Sequence, residues 1–232
     1  MFRTTRSPAR PDKSWLRRRL EQSLSTALMR TYKTVRVDPD RFLVELRAVH
    51  GLPVTSFQGM RSLEVAVLDE VAEKVIRGAV RLAALEGAGL GVGGLVTIVP
   101  DFSILAGITM RTIQKLSLVY GYQYNTEEEI TELWLAAASA AGVDLGRDFL
   151  EKNVLNRFIP AIIRRVAAQA SGEFVEKWAG RLVPVASSLV GGVLNYYFVR
   201  GWSERAHRHF RGKHLEARGR VFAPVIEGHT DA

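Results

Sequence analysis

Three histidines near the end of the chain carry side chains suited to metal binding or proton transfer. His207, His209 and His214 lie close together, but spacings of two and five do not place all three on one helix face. The chain has no cysteine, which excludes thiolate chemistry, disulfides and cysteine-based zinc sites. Neither H-E-x-x-H nor G-x-S-x-G occurs. We interpret these histidines as a solvated basic helix end and assign no metal, cofactor or catalytic residue.

A second candidate is a glycine motif. Gly89, Gly91 and Gly94 have the G-x-G-x-x-G spacing that binds the pyrophosphate of dinucleotides. In nucleotide-binding folds this motif follows a strand and opens a helix. Here a long helical pattern precedes it, and Pro100 interrupts the helix that it should open. We therefore reject a nucleotide site.

Asp101 is the only charged residue between positions 87 and 110. A carboxylate in apolar surroundings can handle protons, which leaves an enzyme of unknown reaction centred on Asp101 as one alternative. The simpler interpretation is structural, because Pro100 suits the first position of a helix and an acidic residue suits the first turn.

The segment around this aspartate is rich in glycine, and each glycine disfavours a helix interior by about 1 kcal/mol. The segment is therefore either a break or a helix that another helix approaches closely. Small residues four apart favour the second interpretation. The five glycines concerned are Gly87, Gly89, Gly91, Gly93 and Gly94.

An apolar block at residues 182–199 repeats the same order of features. Pro184 is followed by small residues, then by Gly191 and Gly192, and Asn195 is its polar member. We predict that the two blocks pack together and that Asn195 hydrogen-bonds to Asp101. Both blocks are long enough to span a bilayer. Their prolines, glycines and polar residues, and a mean hydropathy of +0.01 for the chain, favour a soluble or peripheral domain over insertion.

The rest of the chain is typical of an all-α, multi-helix bundle containing these two glycine-rich apolar blocks. A helix should begin at Asp38–Pro39, a helix should end at Tyr120 with Gly121 as its cap, and Thr126 should open another. We also predict helices over 62–86 and 144–156, and one that Pro160 opens. The apolar positions predicted for 62–86 are Leu63, Ala66, Val67, Val71, Val75, Val80, Leu82 and Leu85.

The positive charge is concentrated at the N-terminus. Residues 1–36 hold ten Lys or Arg against two acidic residues, whereas the remainder is neutral. We predict a basic leader over 1–36, disordered at its start, and a single domain over 37–232. Its helix from Lys13 has a leucine face, with Trp15 at the start and Arg17, Arg18 and Arg19 opposite. That helix either docks on the domain or lies on a membrane surface. An anionic membrane is the expected partner, and the neutral body argues against nucleic acid.

Residues 85–122 and 182–216 resemble the bacterial EcsC family. The resemblance covers residues 60–216 and rests on a glycine-rich segment, two motif pairs and a final basic, aromatic helix. The motif residues are Pro100, Asp101, Tyr120, Gly121, Pro184, Gly191, Gly192 and Asn195. The family has no established biochemical activity, so the resemblance implies no catalytic residues. Similar motif pairs in membrane-associated domains attached to bacterial GTPases imply a membrane-proximal module.

We therefore expect a non-enzymatic helical module, peripheral at the cytoplasmic face of the cell membrane. In this interpretation the basic leader and the glycine-rich helices attach it to an anionic bilayer. The main alternative is a soluble accessory subunit of a membrane transport system, with a membrane protein as its partner.

Overall fold

The structure is a computed structural model that describes residues 13–34, 36–89, 102–140, 142–143, 155–178 and 188–222. These residues form helices and contain no strand, which confirms the all-α class. The helices are α1 (Lys13–Thr34), α2 (Pro39–Ala48), α3 (Phe57–Met60), α4 (Val65–Gly89), α5 (Phe102–Val119), α6 (Glu127–Ala140), α7 (Leu155–Trp178) and α8 (Ser188–Phe222).

The pairing of α4 with α8 is the most extensive helix contact in the bundle. The two helices run antiparallel, because Arg218 bonds to the Leu63 carbonyl at one end while Tyr196 and Arg81 share a cleft at the other. Helices α5 and α6 also pack on α8, and α1 packs on α5 and α7. The end of α8 nearest the C-terminus is thereby brought against the start of α4.

Helix α1 docks on the body of the protein. Leu20, Leu24, Ala27 and Leu28 are at most 2% exposed, so residues 13–34 contribute to the same core as the other helices. Arg17, Arg18 and Arg19 are exposed on the outer side. The leucine face is therefore not available to enter a bilayer. Trp15 belongs to this helix, but its side chain lies outside the description, as do residues 1–12.

Local capping signals in the sequence predicted several helix ends correctly. The Asp38 carboxylate accepts hydrogen bonds from the first-turn amides of α2. Thr126 and Glu129 form the predicted reciprocal capping box. Gly142 follows α6 with a φ of +74°, where glycine is favoured over other residues. These ends depend on contacts within a few residues of the chain.

The prediction that Pro160 opens a helix is wrong. Helix α7 begins at Leu155, and Pro160 lies inside it. Proline removes the amide that would bond to the carbonyl of Asn156, but the surrounding turns continue. The long helix predicted over 62–86 begins slightly later, at Val65, and ends at Gly89.

The buried face of α4 includes only some of the apolar positions noted for residues 62–86. Val67, Leu82 and Leu85 are exposed, as is Ala66. Helix α4 carries apolar residues on more than one side, so helical spacing alone allows more than one buried face. Packing against α5 and α8 selects the face formed by Leu68, Val71, Ala72, Ile76, Val80 and Ala83.

The glycine-rich blocks are described only at their edges. Gly87 and Gly89 close α4, and Gly191 and Gly192 lie near the start of α8. Residues 90–101 and 179–187 lie outside the described residues, so close packing of the two blocks stays a prediction. Within the described ranges, no helix is both long enough and apolar enough to cross a membrane.

Candidate functional site

The turn after α5 positions two tyrosines. Gly121 has a φ of +80°, which confirms its predicted role as the helix cap. The Tyr122 amide donates to the Ser117 carbonyl at 2.9 Å, and the Ser117 hydroxyl donates to the Tyr122 carbonyl at 2.7 Å. Tyr120 and Tyr122 are therefore held on either side of a rigid turn.

Glycine is also required at position 121 because neighbouring atoms leave no room for a side chain. A Cβ atom added there would lie 2.7 Å from Cγ of Arg61 and 2.8 Å from the backbone oxygen of Phe57. The Arg61 Nε donates to the Gly121 carbonyl at 3.0 Å. The segment that contains α3 is thereby fixed against the end of α5.

Tyr120 lies at the centre of four interacting side chains, here called the Tyr120 cluster: Asp69, Tyr120, His207 and Arg211. The Tyr120 hydroxyl donates to Oδ1 of Asp69 at 2.5 Å and lies 2.7 Å from Nε2 of His207. That nitrogen also lies 3.2 Å from Asp69 Oδ1. Nε of Arg211 donates to both carboxylate oxygens, at 2.8 and 3.1 Å. One carboxylate from α4 therefore joins the end of α5 to α8.

The electrostatics of the cluster favour one set of protonation states at neutral pH. Burial raises the pKa of Tyr120, and its hydrogen bond to the Asp69 carboxylate raises it further, so the hydroxyl stays a donor. Burial alone would raise the pKa of Asp69, but hydrogen bonds from Tyr120, Arg211 and His207 outweigh it and lower that pKa. An ionised carboxylate therefore faces a neutral phenol and a guanidinium.

Two histidines flank the Tyr120 ring. This finding corrects the interpretation of His207 and His214 as part of a solvated helix end. His207 stacks on the ring with centroids 5.8 Å apart, and His214 meets its edge at the same distance. His214 is only 1% exposed, and burial lowers its pKa. Positions 207 and 214 are seven apart, about two helical turns, so they share the face of α8 that meets Tyr120. His209 lies apart from this face, with its ring edge-on to Phe210.

Tyr122 forms a second aromatic contact beside the cluster. The Arg61 guanidinium lies 4.9 Å from its ring centroid, and Nζ of Lys213 lies 4.6 Å from it. Phe210 stacks on the same ring with centroids 6.2 Å apart. These cation–π and ring contacts extend the connection between α5 and α8.

The Tyr120 cluster is better suited to positioning than to catalysis. The hydroxyl and the carboxylate are occupied by one another and by His207 and Arg211. Among the described residues, no three His, Asp or Glu side chains are placed to hold a metal ion. His207 also lines a cleft of about 470 Å³ between α4 and α8, with Arg77, Arg81 and Arg200 among its other lining residues.

A larger cleft of about 630 Å³ lies between α2, α4 and α5. Val75, Ala79, Leu82, Ile104 and Ile108 form its apolar walls. The same cleft is lined by polar and charged groups, which are Glu45, His50, Lys74, Glu86, Arg111, Thr112 and Lys115. We call this space the α2–α4–α5 cleft.

Of the residues singled out in the sequence, Tyr120 and Gly121 meet at the cluster. Asn195 is half-buried on α8. Its predicted partner Asp101 lies outside the described residues, so the hydrogen bond between them is untested. Gly91, Gly93, Gly94, Pro100 and Pro184 also lie outside them.

Sequence reasoning missed Asp69 and Arg211, and it interpreted His207 as part of a solvated helix end. The four-residue spacing of His207 and Arg211 indicates a shared helix face and could have been recognised. Asp69 gives no comparable signal, because Glu64, Glu70 and Glu73 surround it in an acidic part of α4. Only the packing of α4 on α8 distinguishes it.

The described residues form an all-helical bundle, and the sequence carries Pro-Asp, Tyr-Gly and Gly-Gly motifs in this order. The chain belongs to the EcsC protein family, which it matches over residues 13–215. The match begins before residue 60, where the sequence resemblance began, and it includes α1, which shares the core.

Two relatives from Bacillus subtilis (strain 168) are similar to the chain. It is 26% identical to Protein EcsC over 196 residues, which cover 83% of each chain. It is 24% identical to Uncharacterized protein YdbA over 150 residues, which cover 60% of this chain and 55% of that relative. No solved structure matches the protein.

Proposed function

We propose that the protein is a non-enzymatic, membrane-proximal helical module that attaches peripherally to an anionic bilayer. The observation that carries this proposal is the set of exposed apolar side chains at the end of α4 and the start of α5, Leu82, Leu85 and Ile104, which we call the apolar patch. These side chains are 48%, 72% and 39% exposed. Large apolar side chains grouped on a surface mark a site of contact with a membrane or another protein.

Cationic residues beside the apolar patch support a membrane as its partner. Arg81 directly precedes Leu82 on α4, Arg111 lies two helical turns after Ile104 on α5, and both arginines are exposed. Apolar side chains bordered by cations suit the boundary between lipid headgroups and acyl chains. Such an arrangement favours anionic over zwitterionic lipid.

Helix α1 would contribute through charge alone. Its leucine face packs against α5 and α7, whereas Arg18 and Arg19 are exposed. A basic residue near an anionic surface contributes about 1 kcal/mol to binding. The proposed location is the cytoplasmic face of the cell membrane, where anionic lipids create a negative surface potential.

Vesicle co-sedimentation tests the proposal. The full chain should bind vesicles of phosphatidylcholine with phosphatidylglycerol, and should bind phosphatidylcholine alone much more weakly. Leu85→Ser should weaken binding, whereas Val49→Ser should not; both residues are 72% exposed, which makes them a matched pair. High salt should weaken binding by the wild-type protein.

The arginine contribution has its own matched pair. The double variant Arg18→Gln/Arg19→Gln should bind anionic vesicles about 30-fold more weakly, from about 1 kcal/mol per charge. Arg41→Gln/Arg47→Gln removes two exposed charges from α2 and should have a smaller effect. Deleting residues 1–36 is a poorer test, because it removes core residues of α1.

Failure to bind anionic vesicles would overturn the proposal. The apolar patch would then favour the alternative function, a soluble accessory subunit that docks on a membrane protein. In that case Leu85→Ser should abolish capture of that protein partner.

A further inference from the structure

The α2–α4–α5 cleft has the size and composition of a ligand site. Its volume of about 630 Å³ falls within the range of small-molecule pockets, about 300–1,000 Å³. Such pockets are mainly apolar, with a few polar groups that fix the orientation of the ligand. This cleft is separate from the Tyr120 cluster.

Gly78 contributes to the open space of the cleft. It lies inside α4, where glycine weakens a helix relative to alanine. A Cβ atom added there would meet nothing within 4 Å, so no close helix contact requires glycine. Gly107 lines the cleft from α5. The absence of side chains at these two positions enlarges the cleft.

One end of the cleft carries two lysines, each of which is paired with a carboxylate. Lys74 and Lys115 come together beside His50, whose pKa is lowered by burial and by both lysines. Their nearest anionic partners are Glu70, 2.7 Å from Lys74, and Glu45, 2.9 Å from Lys115. Arg111 adds a further positive charge to the lining.

His50 also has a polar atom without a partner. Its Nδ1 atom is buried and has no hydrogen bond within the part of the chain that the structure describes. A buried nitrogen of this kind is costly to leave unpaired. Because Nδ1 itself has no surface exposed to the cleft, His50 contributes to the site as a lining residue beside the two lysines.

The opposite end of the cleft is open to the surface and combines apolar side chains with the carboxylate of Glu86. Leu82 on α4 and Ile104 on α5 line it and are 48% and 39% exposed. The cleft therefore runs from a group of cations near His50 to apolar side chains at its mouth. An elongated site with these two ends matches a molecule that has an anionic head and a hydrocarbon tail.

We propose that the α2–α4–α5 cleft binds a single acyl chain with an anionic headgroup. The headgroup lies against Lys74, Lys115 and His50. The acyl chain lies along Gly78 towards Leu82 and Ile104. The ligand is either a free fatty acid or a bilayer lipid that inserts one chain. This goes beyond the proposed attachment, which needs only the surface of the protein.

Fluorescence titration of the full chain with cis-parinaric acid, a fluorescent fatty acid, tests the cleft. Oleate should displace the probe, whereas oleyl alcohol should compete weakly and acetate or phosphate should not compete. Gly78→Leu should weaken binding at least about tenfold by filling the cleft. Gly201→Leu is the matched control, because Gly201 is also a helix residue with nothing within 4 Å.

A second variant keeps the test decisive if Gly78→Leu does not fold. Lys74→Gln changes a half-exposed side chain and should weaken oleate more than oleyl alcohol. Equal effects of Gly78→Leu and Gly201→Leu, in proteins that unfold cooperatively, would overturn the proposal. Equal competition by phosphate and oleate would also overturn the proposal, because the acyl chain would then contribute nothing to binding.

Two further comparisons identify the source of the ligand and distinguish binding in the cleft from the proposed surface attachment. Displacement by oleate without vesicles indicates a free acid, and displacement by vesicles alone, lost in Gly78→Leu, indicates a bilayer lipid. Displacement by vesicles that Gly78→Leu does not alter overturns the cleft and leaves surface attachment intact. Failure of the wild-type protein to bind anionic vesicles, with displacement of the probe by oleate retained, overturns the attachment but keeps the cleft.

Discussion

Tyr120 donates a 2.5 Å hydrogen bond to Asp69, and this contact joins residues 51 positions apart in the chain. Tyr120 ends one helix and Asp69 lies in the first turns of another. Because Arg211 and His207 reach the same carboxylate from α8, a single acidic side chain connects three helices. The bundle is thus fixed at one end by polar contacts and elsewhere by apolar packing.

Removing the hydroxyl at this junction should destabilise the protein. We expect Tyr120→Phe to lower the free energy of unfolding by about 1.5–3 kcal/mol, the usual range for a hydrogen bond to a charged group. Urea denaturation followed by circular dichroism measures this change. Tyr197→Phe, at a residue 61% exposed, should change stability by less than about 0.5 kcal/mol. Equal effects of the two substitutions would contradict the role of the cluster.

Substitution of Gly121 should be more damaging than substitution of other glycines. Alanine at a φ of +80° costs about 1–2 kcal/mol, and its Cβ would also press on the Phe57 backbone. Gly212→Ala is the control, because a Cβ there meets nothing within 4 Å. That change should raise stability by about 0.5–1 kcal/mol, since alanine favours helix. The midpoint of thermal unfolding should therefore fall in Gly121→Ala and rise in Gly212→Ala.

The contribution of Asp69 should disappear in acid. Its pKa is lowered in the folded protein from an ordinary value of 3.8, so its stabilisation is present above that value. The stabilisation is lost as the pH falls through the lower folded pKa. The difference in unfolding free energy between wild type and Asp69→Asn should therefore be large at neutral pH and shrink below 3.8. A difference that does not change with pH would contradict this assignment.

His214 should make stability fall at mildly acidic pH. Burial lowers its pKa below the ordinary 6.5, with Arg218 and Arg61 adding to the effect, while a backbone hydrogen bond at Tyr120 and the charge of Asp69 oppose it. A depressed folded pKa means that stability is present above 6.5 and declines as the pH drops towards the folded value.

The variant His214→Phe keeps an aromatic ring but cannot titrate. Its unfolding free energy, measured by urea denaturation at several pH values, should decline less than that of the wild type below pH 6.5. Parallel curves for the two proteins would show that His214 is not responsible. His50 and His209 also have lowered pKa values, so a smaller decline should persist in the variant.

The structure agrees with the predicted all-α class and with several predicted helix caps, whereas the polar partners of Tyr120 do not follow from the sequence. Tyr120 was identified through the glycine that follows it. His207 and His214 were interpreted as solvated, because their spacing was considered together with His209 rather than as a pair. Helical spacing does not show that Leu82 and Leu85 are exposed, because α4 is apolar on more than one side.

The sequence by itself determined the features that depend on neighbouring residues. Asp38 and Thr126 cap helices, and Gly121 and Gly142 end them, because each effect acts within a few positions. The tertiary structure alone decided which face of α4 is buried and which side chains meet Asp69. Asp69 and Arg211 are 142 positions apart, and only the antiparallel packing of α4 and α8 brings such distant residues together.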